Sequence, residues 1–142
     1  MKFYLVKNDL PKFEIDVTNI TDGLDEGTKV AVDFNIYQAC SWDSEDNSIY
    51  EKNFISEVYF KWDYCTHWRF HGMDYNPSDI ESETDSYYHI CGSSSITDWM
   101  IMFAFVRKVM YEILGDTTNE YSEMDKILDT QLLVGHKIVK EE

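Results

Sequence analysis

The front of the chain alternates apolar and polar residues with the period of a β-strand. Residues 13–17 and 30–36 place acidic or amide side chains between apolar ones, which is typical of strands with one face in water. The glycine dipeptides Asp22-Gly23 and Glu26-Gly27 predict a turn between them. A longer alternating stretch, residues 54–70, predicts a further strand whose apolar face carries Phe54, Val58, Phe60, Trp62, Tyr64, Trp68 and Phe70.

The back of the chain has helical periodicity instead. Residues 96–114 are apolar over most of the helix circumference in their first half, which predicts a helix at the centre of the core. Ser95 is a suitable N-cap, and Gly115 is a suitable terminator. Ser122, followed three residues later by Asp125, predicts the start of a second, shorter helix that ends near residue 133.

Two short segments complete the predicted elements. Residues 86–91 and 137–139 are each predicted as a strand. We therefore expect an α+β fold, in which an antiparallel sheet of about five to six strands packs on one long C-terminal helix, with a second short helix beside it. Because no linker or repeat interrupts the chain, residues 1–142 are expected to form a single domain.

Charge narrows the possible functions. The chain has 27 acidic and 12 basic side chains, a formal net charge of −15. Direct binding to nucleic-acid phosphates or to an anionic membrane requires a basic face, so both are excluded as ligands. A basic protein partner is favoured instead. The aromatic content of 15% and the ten tyrosines argue for a folded domain with aromatic contact surface, and acidity that serves solubility alone is the alternative.

Compartment signals favour the cytoplasm. The apolar stretch near Met1 is only four residues long, far short of a signal-peptide core. The longest apolar run, residues 99–106, is too short to span a bilayer, which needs about 20 residues. Three cysteines cannot all pair within one chain, so a reduced, cytoplasmic setting is expected.

Cysteine and histidine occur in two mirrored pairs, Cys65-x-His67 and His89-x-Cys91. On a strand, residues two apart point to the same side, so two such strands could present a Cys₂His₂ set to zinc. A plain polar strand face is the simpler interpretation, because structural zinc sites more often separate paired cysteines by two to four residues. Thiol catalysis is a third interpretation, but a nucleophilic cysteine needs positive surroundings that an acidic chain offers less readily. We therefore expect no cofactor, with zinc as the alternative.

An acidic series follows the long alternating stretch. Asp79, Glu81, Glu83 and Asp85 occupy every second position, so an extended backbone would space their carboxylates by about 7 Å, close to the phosphate repeat of a nucleic-acid strand. A solvated loop is the alternative interpretation. If the series binds a partner, we expect the contact surface to consist of Trp42, Asp74, Tyr75, Asp79, Glu81, Glu83 and Asp85.

In size and composition the chain is similar to the small acidic inhibitors of phages and mobile elements, including anti-CRISPR proteins and DNA mimics, and to toxin-immunity proteins. The similarity implies a non-enzymatic inhibitor of a basic nucleic-acid-binding protein or nuclease. It assigns no role to individual residues. The alternatives are a zinc-binding or thiol-dependent protein centred on Cys65, His67, His89 and Cys91, or an accessory protein; the oligomeric state stays open.

Overall fold

The computed structural model describes residues 1–22, 29–42, 50–61, 67–70, 73–75, 96–114 and 121–141. Within them, one antiparallel sheet contains seven strands in the spatial order β6-β5-β4-β3-β2-β1-β7. Each strand thus lies beside its neighbour in sequence, except that β7 joins the sheet next to β1. The strands are β1 (Lys2–Lys7), β2 (Leu10–Asp22), β3 (Lys29–Trp42), β4 (Tyr50–Lys61), β5 (His67–Phe70), β6 (Met73–Tyr75) and β7 (His136–Glu141).

Two helical elements follow the first six strands. Helix α1 (Ile96–Arg107) continues as a π-helical segment (Lys108–Leu114), and α2 (Glu123–Leu132) precedes β7. The predicted α+β class and the predicted pair of helices are confirmed, with seven strands in the described part of the chain where about five to six were expected. The strand predicted at residues 86–91 lies outside the described residues. No helix of the described ranges is long and apolar enough to cross a membrane.

The core lies between one face of the sheet and α1. Trp99 and Phe103, one helical turn apart, stack with their ring centroids 5.5 Å apart, and Phe60 of β4 packs edge-on against Tyr111. The predicted central position of the long helix is therefore confirmed. The buried cluster includes Phe3, Leu5, Phe13, Ile15, Val32, Phe34 and Ile36 from the sheet, and Met102, Phe105, Val106 and Met110 from the helix.

The stretch predicted as one strand over residues 54–70 is two strands. β4 and β5 pair antiparallel, with Val58 opposite Phe70 and Phe60 opposite Trp68. The single-strand prediction was wrong because both arms of a hairpin alternate with the same period, so periodicity alone does not reveal the reversal. Residues 62–66, which join the arms, lie outside the described residues.

An extra residue in β4 changes which side chains reach the core. Ile36 pairs with Ser56, and Tyr37 pairs with Phe54, so Ile55 has no counterpart on β3. Such a bulge shifts the alternation by one residue. As a result Ile55 is 3% exposed and Phe54 is 52% exposed. The prediction that Phe54 shares the apolar face of Val58 was therefore wrong.

A buried polar network joins α2 to α1. Arg107 donates to both carboxylate oxygens of Asp129, and the Tyr121 hydroxyl donates to the same carboxylate at 2.7 Å. Burial raises the pKa of Tyr121, and the hydrogen bond to Asp129 acts in the same direction. At the start of α2 the backbone N–H of Asp125 donates to Ser122 Oγ at 3.1 Å, which confirms the predicted cap. Residues 95 and 115 lie outside the described residues.

Candidate functional site

The sheet face opposite α1 carries acidic and amide residues on three neighbouring strands. The cross-strand register places Asn35 of β3 opposite Asp16 of β2 and opposite Glu57 of β4. Two residues earlier on β3, Asp33 lies opposite Tyr59 of β4. Successive residues of a strand point to opposite faces, so these positions share the face that the buried residues Val32, Phe34 and Ile36 leave to solvent.

A cavity of about 830 Å³ lies on this face across β2, β3 and β4. The described residues that line it include Asp33 and Glu57, together with Asn35, Phe54 and Tyr59. No basic side chain occurs among those described lining residues. We call this cavity the acidic groove. Its charge and its exposed aromatic ring suit a cationic ligand better than an anionic one.

A second strand irregularity borders the acidic groove on β2. Val17 pairs with Phe34 and Asn19 pairs with Asp33, which leaves Thr18 as an additional residue. Thr18 Oγ1 donates to the backbone carbonyl of Asp33 at 3.2 Å, and Asn19 Nδ2 donates to Asp33 Oδ2 at 3.4 Å. The groove therefore lies between two bulges, which are frequent beside binding sites because they re-aim side chains.

Lys52 of β4 is engaged in an ion pair on this face. Lys52 Nζ donates to Glu14 Oε2 at 2.8 Å and lies 4.2 Å from the centroid of the Tyr37 ring. The carboxylate of Glu14 is almost completely buried. In contrast, Asp33 and Glu57 form no ion pair with any residue of the described ranges. The negative charge of the groove is thus not offset by the Lys52 ammonium, which belongs to Glu14.

Tyr4 lies on β1, opposite Glu14, and its pKa reflects the carboxylates around it. Burial, together with the carboxylates of Glu14, Glu141 and Asp16 that oppose the phenolate charge, raises the pKa of Tyr4 to about 12. Because β2 supplies Glu14 and Asp16 and β7 supplies Glu141, these carboxylates come from two strands that are far apart in sequence.

The predicted partner-binding residues fall at two distant places. Asp74 and Tyr75 lie on β6. Tyr75 pairs with Trp68 of β5, and Trp68 pairs in turn with Phe60 of β4. Trp42 lies at the end of β3, ten residues beyond the β3 residue that pairs with Phe60, which is roughly 30 Å of strand. The backbone register therefore does not bring Trp42 beside Tyr75. The remaining predicted residues lie outside the described residues, namely Asp79, Glu81, Glu83 and Asp85.

The predicted metal ligands are only partly described. His67 is the first residue of β5 and pairs with Lys61 of β4. Cys65, His89 and Cys91 lie outside the described residues, so their convergence on zinc stays a prediction. Among the residues that are described, no group of three or more potential metal ligands comes together.

The acidic groove was not found by sequence reasoning, although its signal was present. Asp33 and Asn35 are the polar positions of the alternating stretch that predicted β3, and Asp16 has the same place in β2. What the pattern does not contain is the register that sets Glu57 beside Asn35. The acids at positions 79–85 are close in sequence, so an acidic series is predicted there without knowledge of any strand register.

Comparison with protein-family models, with curated proteins and with solved structures finds no match.

Proposed function

We propose that the protein is a non-enzymatic binding module that docks a basic protein surface in its acidic groove. The observation that carries the proposal is the groove itself, a cavity on the open sheet face whose described lining contains the carboxylates of Asp33 and Glu57 and no basic group. Charges of one sign within a concave surface concentrate the field and speed the approach of an oppositely charged partner.

The register supports recognition of arginine or lysine side chains. Asp33 and Glu57 occupy diagonal positions of the β3–β4 pair, and diagonal neighbours of an antiparallel pair are about 7–8 Å apart. A guanidinium has five N–H donors in one plane and can engage two carboxylates at once. The exposed ring of Phe54 at the edge of the groove adds a surface on which a guanidinium can stack.

An inhibitory role is the most specific form of this proposal. Proteins that bind nucleic acids present lysine and arginine to phosphate groups. When such a partner docks in the acidic groove, the carboxylates of the groove bind the lysine and arginine side chains that would otherwise bind phosphate. The protein then competes with nucleic acid for a nuclease or another nucleic-acid-binding protein, with electrostatic attraction contributing mainly to the association rate.

The proposal is tested by calorimetric titration of the full chain with a synthetic peptide of alternating arginine and alanine. We expect binding that weakens as salt rises. The double variant Asp33→Asn with Glu57→Gln should bind about tenfold more weakly, corresponding to about 1.4 kcal/mol. The matched control is Asp9→Asn with Glu51→Gln, which removes the same charge from exposed positions outside the groove lining.

The two double variants separate the groove from general acidity. If both weaken binding equally, the peptide responds to net charge and the groove is not the docking site. If neither changes the affinity, the proposal fails. Circular dichroism of each variant checks that the fold is retained. We expect an unchanged spectrum, because the substituted carboxylates form no ion pair with described residues.

A further inference from the structure

The outward side of α2 is apolar although the helix lies at the surface. Met124, Ile127 and Leu128 are 65%, 54% and 48% exposed. They follow the spacing i, i+3, i+4, so they form one continuous strip along the helix. We call them the α2 ridge. Single exposed apolar residues are common on protein surfaces, but a contiguous strip is typical of an interaction site.

The inward side of the same helix is centred on a charged residue. Of the ten residues of α2, Asp129 is the buried one, and it faces the guanidinium of Arg107. A surface helix normally has the opposite arrangement, with its apolar strip against the core. A buried ion pair stabilises a fold no better than apolar residues of similar volume. Fold stability therefore does not explain why the apolar residues of α2 face outward.

A groove adjoins the α2 ridge. It has a volume of about 310 Å³, and the described residues that line it include Met100 of α1 with Asp125, Leu128 and Leu132 of α2. This volume is near the lower end of ligand-binding cavities, about 300 Å³. A convex apolar strip beside a concave apolar groove is the kind of surface on which an amphipathic helix docks, with one anchoring side chain in the groove.

The charges around this surface indicate the chemistry of the occupant. Lys108 is paired with Glu112 and Lys126 with Glu123, while Arg107 is neutralised by Asp129. Asp125 lines the groove and forms no ion pair within the described ranges. A second copy of the chain would bring another formal charge of −15 and would be repelled. Charge complementarity therefore favours a basic partner.

We propose that the α2 ridge and its groove dock an amphipathic helix of a partner protein, with basic residues along the border of its apolar strip. This surface is separate from the acidic groove, because α2 packs on α1 and α1 covers the opposite face of the sheet. On this proposal the protein has two docking surfaces. The acidic groove on the sheet binds basic groups, and the α2 ridge binds an amphipathic helix with basic flanks.

The experiment uses the full chain and a synthetic leucine–lysine peptide designed as an amphipathic helix. Two matched peptides are compared with it, one with glutamate in place of lysine and one with the same composition in scrambled order. Fluorescence anisotropy gives the affinity, and circular dichroism shows whether the peptide becomes helical on binding. We expect the amphipathic leucine–lysine peptide to bind as a helix at least tenfold more tightly than either matched peptide.

Variants assign the binding to the α2 ridge. Ile127→Ser with Leu128→Ser should weaken binding at least tenfold. The control pair Leu10→Ser with Val139→Ser removes exposed apolar side chains from β2 and β7 and should leave the affinity unchanged. Asp125→Asn should weaken binding by a smaller factor that shrinks as salt rises. The ridge substitutions should cause the same tenfold loss in the background of Asp33→Asn with Glu57→Gln, in which the acidic groove has lost its two carboxylates, and this keeps the test independent of the proposed function.

Three results overturn the proposal. One is equal binding of the glutamate peptide, which would show that the surface does not recognise charge, or of the scrambled peptide, which would show that it does not recognise an amphipathic helix. Another is an unchanged affinity in the ridge variant. The third is a dimer in sedimentation equilibrium that the ridge variant converts to a monomer, because the ridge is then covered by a second copy of the chain.

Discussion

Arg107 Nε and Nη2 each lie 2.8 Å from a different carboxylate oxygen of Asp129. This two-bond contact connects the last residue of α1 to the middle of α2, and both side chains are almost completely removed from solvent. Because a guanidinium cannot lose its proton in a protein, its charge must be balanced within the fold. The carboxylate of Asp129 provides that balance and fixes where α2 sits.

Removing the carboxylate should therefore destabilise the fold strongly. We expect Asp129→Ala to lower the free energy of unfolding by about 3–5 kcal/mol, because it removes the carboxylate that neutralises the buried Arg107 charge. Urea unfolding followed by circular dichroism measures the change. The double variant Arg107→Met with Asp129→Leu should recover most of the loss, since an apolar pair of similar volume avoids the desolvation cost. A loss below about 1 kcal/mol in the single variant would contradict a buried pair.

The hydroxyl of Tyr121 should contribute separately. Tyr121→Phe keeps the stacking on Tyr111, whose ring centroid is 4.9 Å away, but removes the hydrogen bond to Asp129. A hydrogen bond to a charged group contributes about 1.5–3 kcal/mol, and we expect a loss of that size in urea unfolding. Tyr37→Phe is the matched control, because the Lys52 contact to its ring needs no hydroxyl. A similar loss in both variants would show that the effect is not specific to the buried network.

The bulge in β4 predicts opposite effects for two adjacent residues. Ile55→Ser should lower the free energy of unfolding by about 2–5 kcal/mol, since it replaces a buried apolar side chain with a smaller polar one. Phe54→Ser should change it by no more than about 1 kcal/mol, because Phe54 is 52% exposed and its ring contacts Tyr37 edge-on. Thermal unfolding of both variants measures the contrast. The reverse order of stability would mean that β4 lacks the bulge.

His136 should make stability depend on pH. Burial lowers the pKa of His136 below its ordinary value of 6.5, and the charges of Lys12 and Lys7 lower it further, against an opposing hydrogen bond to Val134. The unfolded chain therefore binds a proton at a higher pH than the folded chain does. Stability contributed by neutral His136 is complete above 6.5 and is lost as the pH falls through the folded pKa.

The replacement His136→Gln isolates this contribution. Urea unfolding between about pH 7 and about pH 5.5 should show a steeper loss of stability in the original chain than in the variant. Carboxylates titrate identically in both chains, so their effect cancels in the comparison. A difference of the opposite sign would mean that folding favours the protonated imidazole.

Local sequence patterns were sufficient for elements whose signal lies within one turn or one strand. The alternation in β2 and β3, the apolar first half of α1 and the Ser122 cap each depend on residues that are close in sequence. β1 was not predicted, because Phe3 and Leu5 form too short an alternation to distinguish a strand from an irregular segment. The reversal between β4 and β5 was missed for the reason that both arms share one period.

The candidate site depends on relations that a local pattern does not contain. Glu57 lies beside Asn35 only because β3 and β4 pair in one particular register. The bulge at Ile55 shifts that register by one residue, and the bulge at Thr18 shifts the register between β2 and β3 in the same way; no propensity of these residues signals a bulge. The inward orientation of Asp129 could not be predicted either, because the apolar residues of α2 predict a helix regardless of the direction in which they point.

The place of β7 in the sheet has a consequence for the order of folding. Strands β1 to β6 each pair with a neighbour in sequence, and such hairpins form within about 1–10 μs. The β1–β7 pair instead joins residues as distant as Lys2 and Glu141, so it closes the longest loop of the fold and does so late. Contacts that are absent from the transition state affect the unfolding rate alone. Substitutions in β7 are therefore expected to hasten unfolding and to leave the refolding rate nearly unchanged, so the pairing of this strand contributes to how long the folded state persists.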